Sequence, residues 1–267
     1  MPLSSVWDMI LETDLQDKCA RQLGNHTAES DERLLFTGDQ NPMAVQKLYT
    51  KTSVNLTDIG SIQDKWTFTG VDLAPNDTLE TGVSALDRNG SLIRMDKLNA
   101  DKDIVAYIKA LGPPSGIVVA IDIPKSLEIP GKWRQEEVKM HPLRLVRPTD
   151  GKTTDRYASR GWRLYDMLLE EGVMPLIYTN YQAKMRYKVD VPFRTRTPQG
   201  CRALQLALKQ TLRIGHIPTN LAPISVLESM VGSYVAWSVF SGKESTHFSL
   251  YRDEDNRIHV EPRQRVR

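Results

Sequence analysis

Two apolar, β-branched runs each stop at an aspartate followed two residues or so later by proline, and together they constrain the fold more than anything else in the chain. They are Trp66-Thr-Phe-Thr-Gly-Val-Asp-Leu-Ala-Pro75 and Gly116-Ile-Val-Val-Ala-Ile-Asp-Ile-Pro124. Short continuous runs of this composition are expected as strands buried on both faces. A carboxylate at the end of such a strand is costly near a core unless it is paired or binds a cation. Asp72 and Asp122 are therefore candidate ligands of a divalent ion. Either one alone also serves as a cap of the loop that follows.

A second constraint lies near the carboxyl end. Pro223 to Phe240 reads as a helix that is apolar on nearly all sides, so it is expected to be deeply buried. Its one acid is Glu228. An unpaired carboxylate there is strongly disfavoured as an anion, and a metal shared with Asp72 and Asp122 relieves that cost. Three hard oxygen donors suit Mg²⁺ or Mn²⁺. Two such ions about 4 Å apart can activate a water and stabilise the leaving oxygen in phosphodiester cleavage.

Between these landmarks the pattern predicts strands over 67–73, 80–87 and 91–97, the last two joined by the Asn89-Gly90 hairpin signal. A helix capped by Asp101 follows over 101–111, then the strand that delivers Asp122. Residues 124–154 read as a long loop. Helices are expected over 153–171 and 200–214, a strand over 174–180, and a closing hairpin over 247–251 and 257–260. Residues 1–62 read as a small helical appendage, with a polar linker over 50–64, and 66–262 as the main domain.

With 267 residues, 40% hydrophobic and 25% charged, the composition is that of a soluble globular protein. The amino-terminal residues lack a signal-peptide layout, and Cys19 and Cys201 form no metal-ligand spacing, so a reducing, cytoplasmic setting without a membrane is expected. Net charge is only +2, but from Lys184 to Arg213 eight bases face the single acid Asp190. They include Lys184, Arg186, Lys188, Arg194, Arg196 and Arg202. An earlier basic stretch contains Arg156 and Arg160, and Tyr157, Trp162, Tyr181, Tyr187 and Phe193 are interleaved with the bases. Bases with interleaved aromatics suit phosphates and exposed nucleobases, so a nucleic acid is the favoured partner. A solvated basic face is the plainer alternative.

The layout resembles the RNase H-like fold, in which the first three strands are antiparallel, acids sit on the first and fourth, and another acid comes from a late helix. The implied architecture is a mixed five-stranded sheet flanked by helices. More specifically, the chain looks like domain-of-unknown-function family 429, a family of predicted nucleases similar to the RuvC resolvases. The matching pieces are Gly70-Val-Asp-Leu-Ala-Pro75, Ala120-Ile-Asp-Ile-Pro124, Thr154-Asp-Arg-Tyr-Ala-Ser-Arg160, Lys184 to Lys188, Arg196-Thr-Pro-Gln-Gly200, Leu227-Glu-Ser-Met-Val-Gly232 and Asp255-Asn-Arg-Ile-His-Val-Glu-Pro262.

The resemblance implies Asp72, Asp122 and Glu228 as metal ligands and catalytic acids, with Asp155 and Arg156 near the site. Arg196 and Arg202 are implied to face phosphates. The late helix departs from the family pattern, which offers two acids three residues apart. Here those positions are Ser225 and Glu228.

The expected function is a metal-dependent nuclease, the alternative a degenerate module that binds nucleic acid or protein without cutting. A homodimer is kept open. A sugar or acetate kinase is disfavoured, because Leu73-Ala-Pro75 lacks the glycines for close phosphate approach.

Overall fold

In a computed structural model of the chain, the residues described are 52–59, 65–123, 151–189, 191, 196–241, 248–253 and 255–263. The chain divides into two units, Met1–Lys47 and Leu48–Arg267, and only residues of the second are described. The expected helical appendage before residue 52 and most of the loop over 124–154 lie outside them.

The fold is mixed α/β. Strands β1 (Thr52–Val54), β2 (Thr67–Asp72), β3 (Thr81–Leu86), β4 (Leu92–Leu98), β5 (Ile117–Asp122), β6 (Met174–Tyr178), β7 (Phe248–Arg252) and β8 (Ile258–Pro262) form one sheet. The helices are α1 (Asp101–Lys109), α2 (Gly151–Glu170), α3 (Asn180–Tyr187), α4 (Pro198–Gln210) and α5 (Ile224–Phe240). The strand order is β1-β7-β8-β6-β5-β2-β3-β4.

The central part follows the expected topology. β2, β3 and β4 form an antiparallel meander, and β5 returns to pair parallel with β2. β6 then adds in parallel to the far side of β5. The expected five-stranded sheet needs correction to eight strands among the described residues. The closing hairpin does not stand apart: β8 pairs parallel with β6, and β7 carries β1 on its outer edge. β1 falls within the expected linker. Its three residues form a largely exposed edge strand, which has no alternation to betray it.

Side-chain parity divides the core. On one face Val71, Val119 and Ile121 pack with Ile104 and Ile108 of α1 and Leu164 and Leu168 of α2. On the other, Phe68, Val118, Ala120 and Leu176 pack with α4 and α5. Both faces are covered, which is why these strands read as unbroken apolar runs.

Helix α5 lies unusually close to the sheet. A Cβ on Gly70 of β2 would stand 1.9 Å from the Ser229 carbonyl oxygen, and one on Gly82 of β3 would stand 2.0 Å from that of Ser225. Serines on the sheet-facing side find local partners: the Ser84 and Ser233 hydroxyls are 2.8 Å apart, and Ser233 also donates to the Ser84 carbonyl. Such bonding makes hydroxyls tolerable in an otherwise apolar contact.

Helix α1 corrects a second expectation. Its N-cap is Ala100, with no side-chain cap. The Asp101 carboxylate is buried and accepts from Arg160 Nε at 2.7 Å and Arg163 Nε at 2.9 Å. An ion pair with two guanidiniums outcompetes a local cap for that carboxylate.

Candidate carboxylate site

Asp72 and Asp122 end neighbouring parallel strands. The ladder pairs Val71 with Ile121, so the two acids are the next residues of adjacent β2 and β5. Parity with Phe68 and Ala120 puts both on the sheet face that carries α5. They stand at the carboxyl ends of the strands, where the chain leaves β2 toward β3 on one side and β5 toward β6 on the other. That switch point is where open α/β sheets generally leave a crevice for ligands.

Glu228, on α5, belongs to the same cluster. The close seating of α5 over Gly70 sets its height above the sheet. Burial pushes the Asp72 carboxyl well above the usual carboxylate range, and the like charges of Glu228 and Asp122 push it further. Lys184 and Arg196 act in the opposite direction. Tyr178 follows Ile177 at the end of β6, in register with Asp122. Its hydroxyl is also pushed up, by burial and then by Asp122, Asp72 and Glu228. Tyr157 of α2 feels burial first, then Asp72 and Asp122.

The cluster has internal partners. Helix α3 begins right after β6, and the Asn180 backbone N–H donates to Asp122 Oδ1 at 2.9 Å. This is an anion at a helix amino terminus, a favourable placement. Asn180 Nδ2 donates to Glu228, and Lys184 Nζ lies 2.8 Å from both Glu228 oxygens. Two buried oxygens next to the acids have no hydrogen-bond partner among the described residues: Asn180 Oδ1 and the Tyr178 hydroxyl.

The structure sorts the sequence-derived candidates. Asp72, Asp122 and Glu228 converge. Among the described residues, however, no three His, Cys, Asp or Glu side chains are placed to hold one ion together. The engagement of Glu228 with Lys184 and Asn180 accounts for that physically. Lys184 is thus a buried partner of Glu228 rather than an exposed phosphate contact. Arg160 needs the same correction. It is 3% exposed, and its guanidinium donates to Asp101 and to the carbonyls of Ala74, Asn76 and Asn99. It pins the loop that follows Asp72, and a surface base would not be so saturated.

Arg156, Lys188, Arg196 and Arg202 are exposed, and Arg186 is half-buried. Arg196 is near enough to bias Asp72. Asp155 lies on α2 with its side chain outside the described residues, and Arg194 also lies outside them. Of the interleaved aromatics, Tyr187 is core rather than a stacking platform, with its ring centroid 4.9 Å from that of Tyr234. Trp162 has the Arg257 guanidinium over its ring. Asn180 and Tyr178 were missed by sequence reasoning; the only signal was their position at and just after the end of the strand that pairs with β5.

No protein-family model matches the chain, and no curated protein does. Among solved structures, similarity is found to RuvC. One is Thermus thermophilus RuvC in complex with a Holliday junction substrate, at 13% identity and a TM-score of 0.38. Another is Thermus thermophilus RuvC, at 11% identity and a TM-score of 0.40. Each alignment covers 70% of this chain and 99% of the other. Both similarities are distant.

No helix among the described residues is long and apolar enough to cross a membrane.

Proposed function

We propose that the chain is a divalent-cation-dependent nuclease of the RNase H-like kind, acting on the phosphodiesters of a nucleic acid. The observation that carries this reading is the placement of Asp72 and Asp122 at adjoining ends of β2 and β5, with Glu228 of α5 close enough to act on Asp72. Three carboxylates crowd the carboxyl ends of two central parallel strands, and the charge of Asp72 is opposed by burial and by both neighbours. Retaining such a cluster costs stability, and a bound cation repays it.

The donor set fits a magnesium-type ion. Asp72 and Asp122 are hard oxygen donors on rigid strand ends, and Mg²⁺ is commonly held by one or two carboxylates together with substrate phosphates. The unpartnered Asn180 Oδ1 is a further oxygen next to them. Held by Asp72 and Asp122, Mg²⁺ or Mn²⁺ would supply Lewis-acid charge to a phosphoryl oxygen and activate a water. The chain's own residues do the rest. The Asn180 N–H orients Asp122, Arg160 holds the loop after Asp72, and Arg196 offers an exposed positive charge for a phosphate. Exposed Arg156, Lys188 and Arg202 are further candidate phosphate contacts.

A mixed panel of single-stranded, duplex and branched DNA and RNA, incubated with Mn²⁺, tests the reading. Asp72→Asn is expected to abolish cleavage by the purified protein. Cleavage that survives the change refutes it.

A second reading is supported by Lys184 and Ser225. Glu228 is already neutralised by an ammonium, and Ser225 stands where a second helix acid is expected. On that reading the protein binds nucleic acid without cutting it. Calorimetry separates the two, because a binding module shows no Mn²⁺ uptake that depends on Asp72 and Asp122.

A further inference from the structure

Helix α3 puts two side chains into the carboxylate cluster from one face. Asn180 and Lys184 are four residues apart, so they stand one above the other on the helix. Asn180 bridges Asp122, through its backbone N–H, and Glu228, through its amide. Lys184 Nζ is equidistant from the two Glu228 oxygens, at 2.8 Å, and both side chains are about nine-tenths buried. A buried ammonium needs its anion, and a buried carboxylate needs its cation. Any second cation that takes Glu228 as a ligand therefore competes with the ammonium for its charge, since the bonds from Asn180 and Lys184 already occupy three of its roughly four lone-pair sites.

We infer that Lys184 is a tethered counter-cation that competes with a divalent ion for Glu228, an inference that rests on the cation reading above. Lysine suits the role. Its charge is compact and sits on a flexible four-carbon stem, so it can withdraw without moving the helix backbone. The two side chains of this face then act differently. Asn180 keeps Asp122 oriented whether or not an ion is present, while Lys184 sets how readily Glu228 joins Asp72 and Asp122. The unpartnered Asn180 Oδ1 lies beside the carboxylate that changes hands. Lys184 is a positioning residue in this scheme, since it acts through Glu228.

Calorimetric titration of the full chain with MnCl₂ tests the competition, with far-UV circular dichroism as the check on folding. Lys184→Met is expected to bind Mn²⁺ about tenfold or more tightly than the unmodified protein, and Lys184→Arg, which keeps the charge, within about threefold of it. Should Lys184→Met fail to fold, Lys184→Gln, whose amide still donates to Glu228, carries the same expectation.

An independent readout is lysine acylation followed by mass spectrometry. Saturating Mn²⁺ should accelerate modification of Lys184 and leave exposed Lys188 unchanged. Asp72-dependent Mn²⁺ binding that is no tighter in the uncharged variants overturns the competition and leaves the cation reading standing. Absence of Asp72-dependent binding in every form overturns the cation reading, and the competition with it.

Discussion

Neutralising Asp72 should make the protein more stable in the absence of divalent ions, even as it removes the proposed activity. Adjacent parallel strands run about 4.8 Å apart. Carboxylates at matching positions on them repel by about 3 kcal/mol at an effective dielectric constant of about 20. Glu228 adds to that repulsion, and Lys184 and Arg196 offset part of it. A net gain of about 1–2 kcal/mol for Asp72→Asn is therefore expected, within the range common for stabilising substitutions. For a domain of this size that raises Tm by roughly 2–8 °C.

Thermal denaturation in a chelator at pH 7.5 and low salt measures it directly. The pH dependence has a definite sign. Folding raises the proton affinity of Asp72, so the unmodified protein regains stability as the pH falls and the carboxyl is protonated. The gap between the two proteins should narrow on acidification and close below the ordinary Asp value of about 4. Mg²⁺ should raise the Tm of the unmodified protein and leave that of Asp72→Asn unchanged, because only the former repays repulsion by binding. A lower Tm for Asp72→Asn in chelator, or a gap that is constant from pH 7.5 to 4.5, refutes the reasoning.

Three other substitutions probe the scaffold under the site. Arg160→Ala leaves buried Asp101 short of a partner and takes a charged donor from three carbonyls, and should cost about 3–5 kcal/mol by denaturant titration. Gly70→Ala drives a methyl group into the Ser229 carbonyl and the Ser233 nitrogen of α5, both backbone atoms. A loss of about 3 kcal/mol is expected from that overpacking, and weaker Mn²⁺ binding should accompany it as Glu228 lifts with the helix. Gln205→Ala frees the carbonyls of Pro218 and Asn220 and the N–H of Ala222, and should lower stability by about 1–3 kcal/mol in the same assay.

Much of the central sheet was legible because its signals are local. β2 and β5 are β-branched runs, and the β3–β4 turn carries Asn89-Gly90, with Gly90 at a φ of +75°. Helix α5 declared itself by an apolar length that only burial can accommodate. Helix α3 did not. Its buried positions are Asn180, Ala183, Lys184 and Tyr187, a regular helical stripe. Two of those four residues are polar, so the stripe is invisible to a hydrophobic pattern and Lys184 reads as surface charge. Arg160 was misread in the same way, because its partners are three carbonyls and an acid far away in the chain.

The sequence by itself determined which strands are central, that β2 and β5 end in acids, and that one late helix must be buried against them. Those features depend on periodicity and burial of contiguous residues, which any short window displays. Only the tertiary structure decided that the sheet has eight strands, that Lys184 and Asn180 hold Glu228, and that Arg160 serves the loop after Asp72. Each of those depends on a buried polar group finding its partner across the fold. The penalty for leaving such a group alone is large, but the partner's identity is written nowhere near it in the chain.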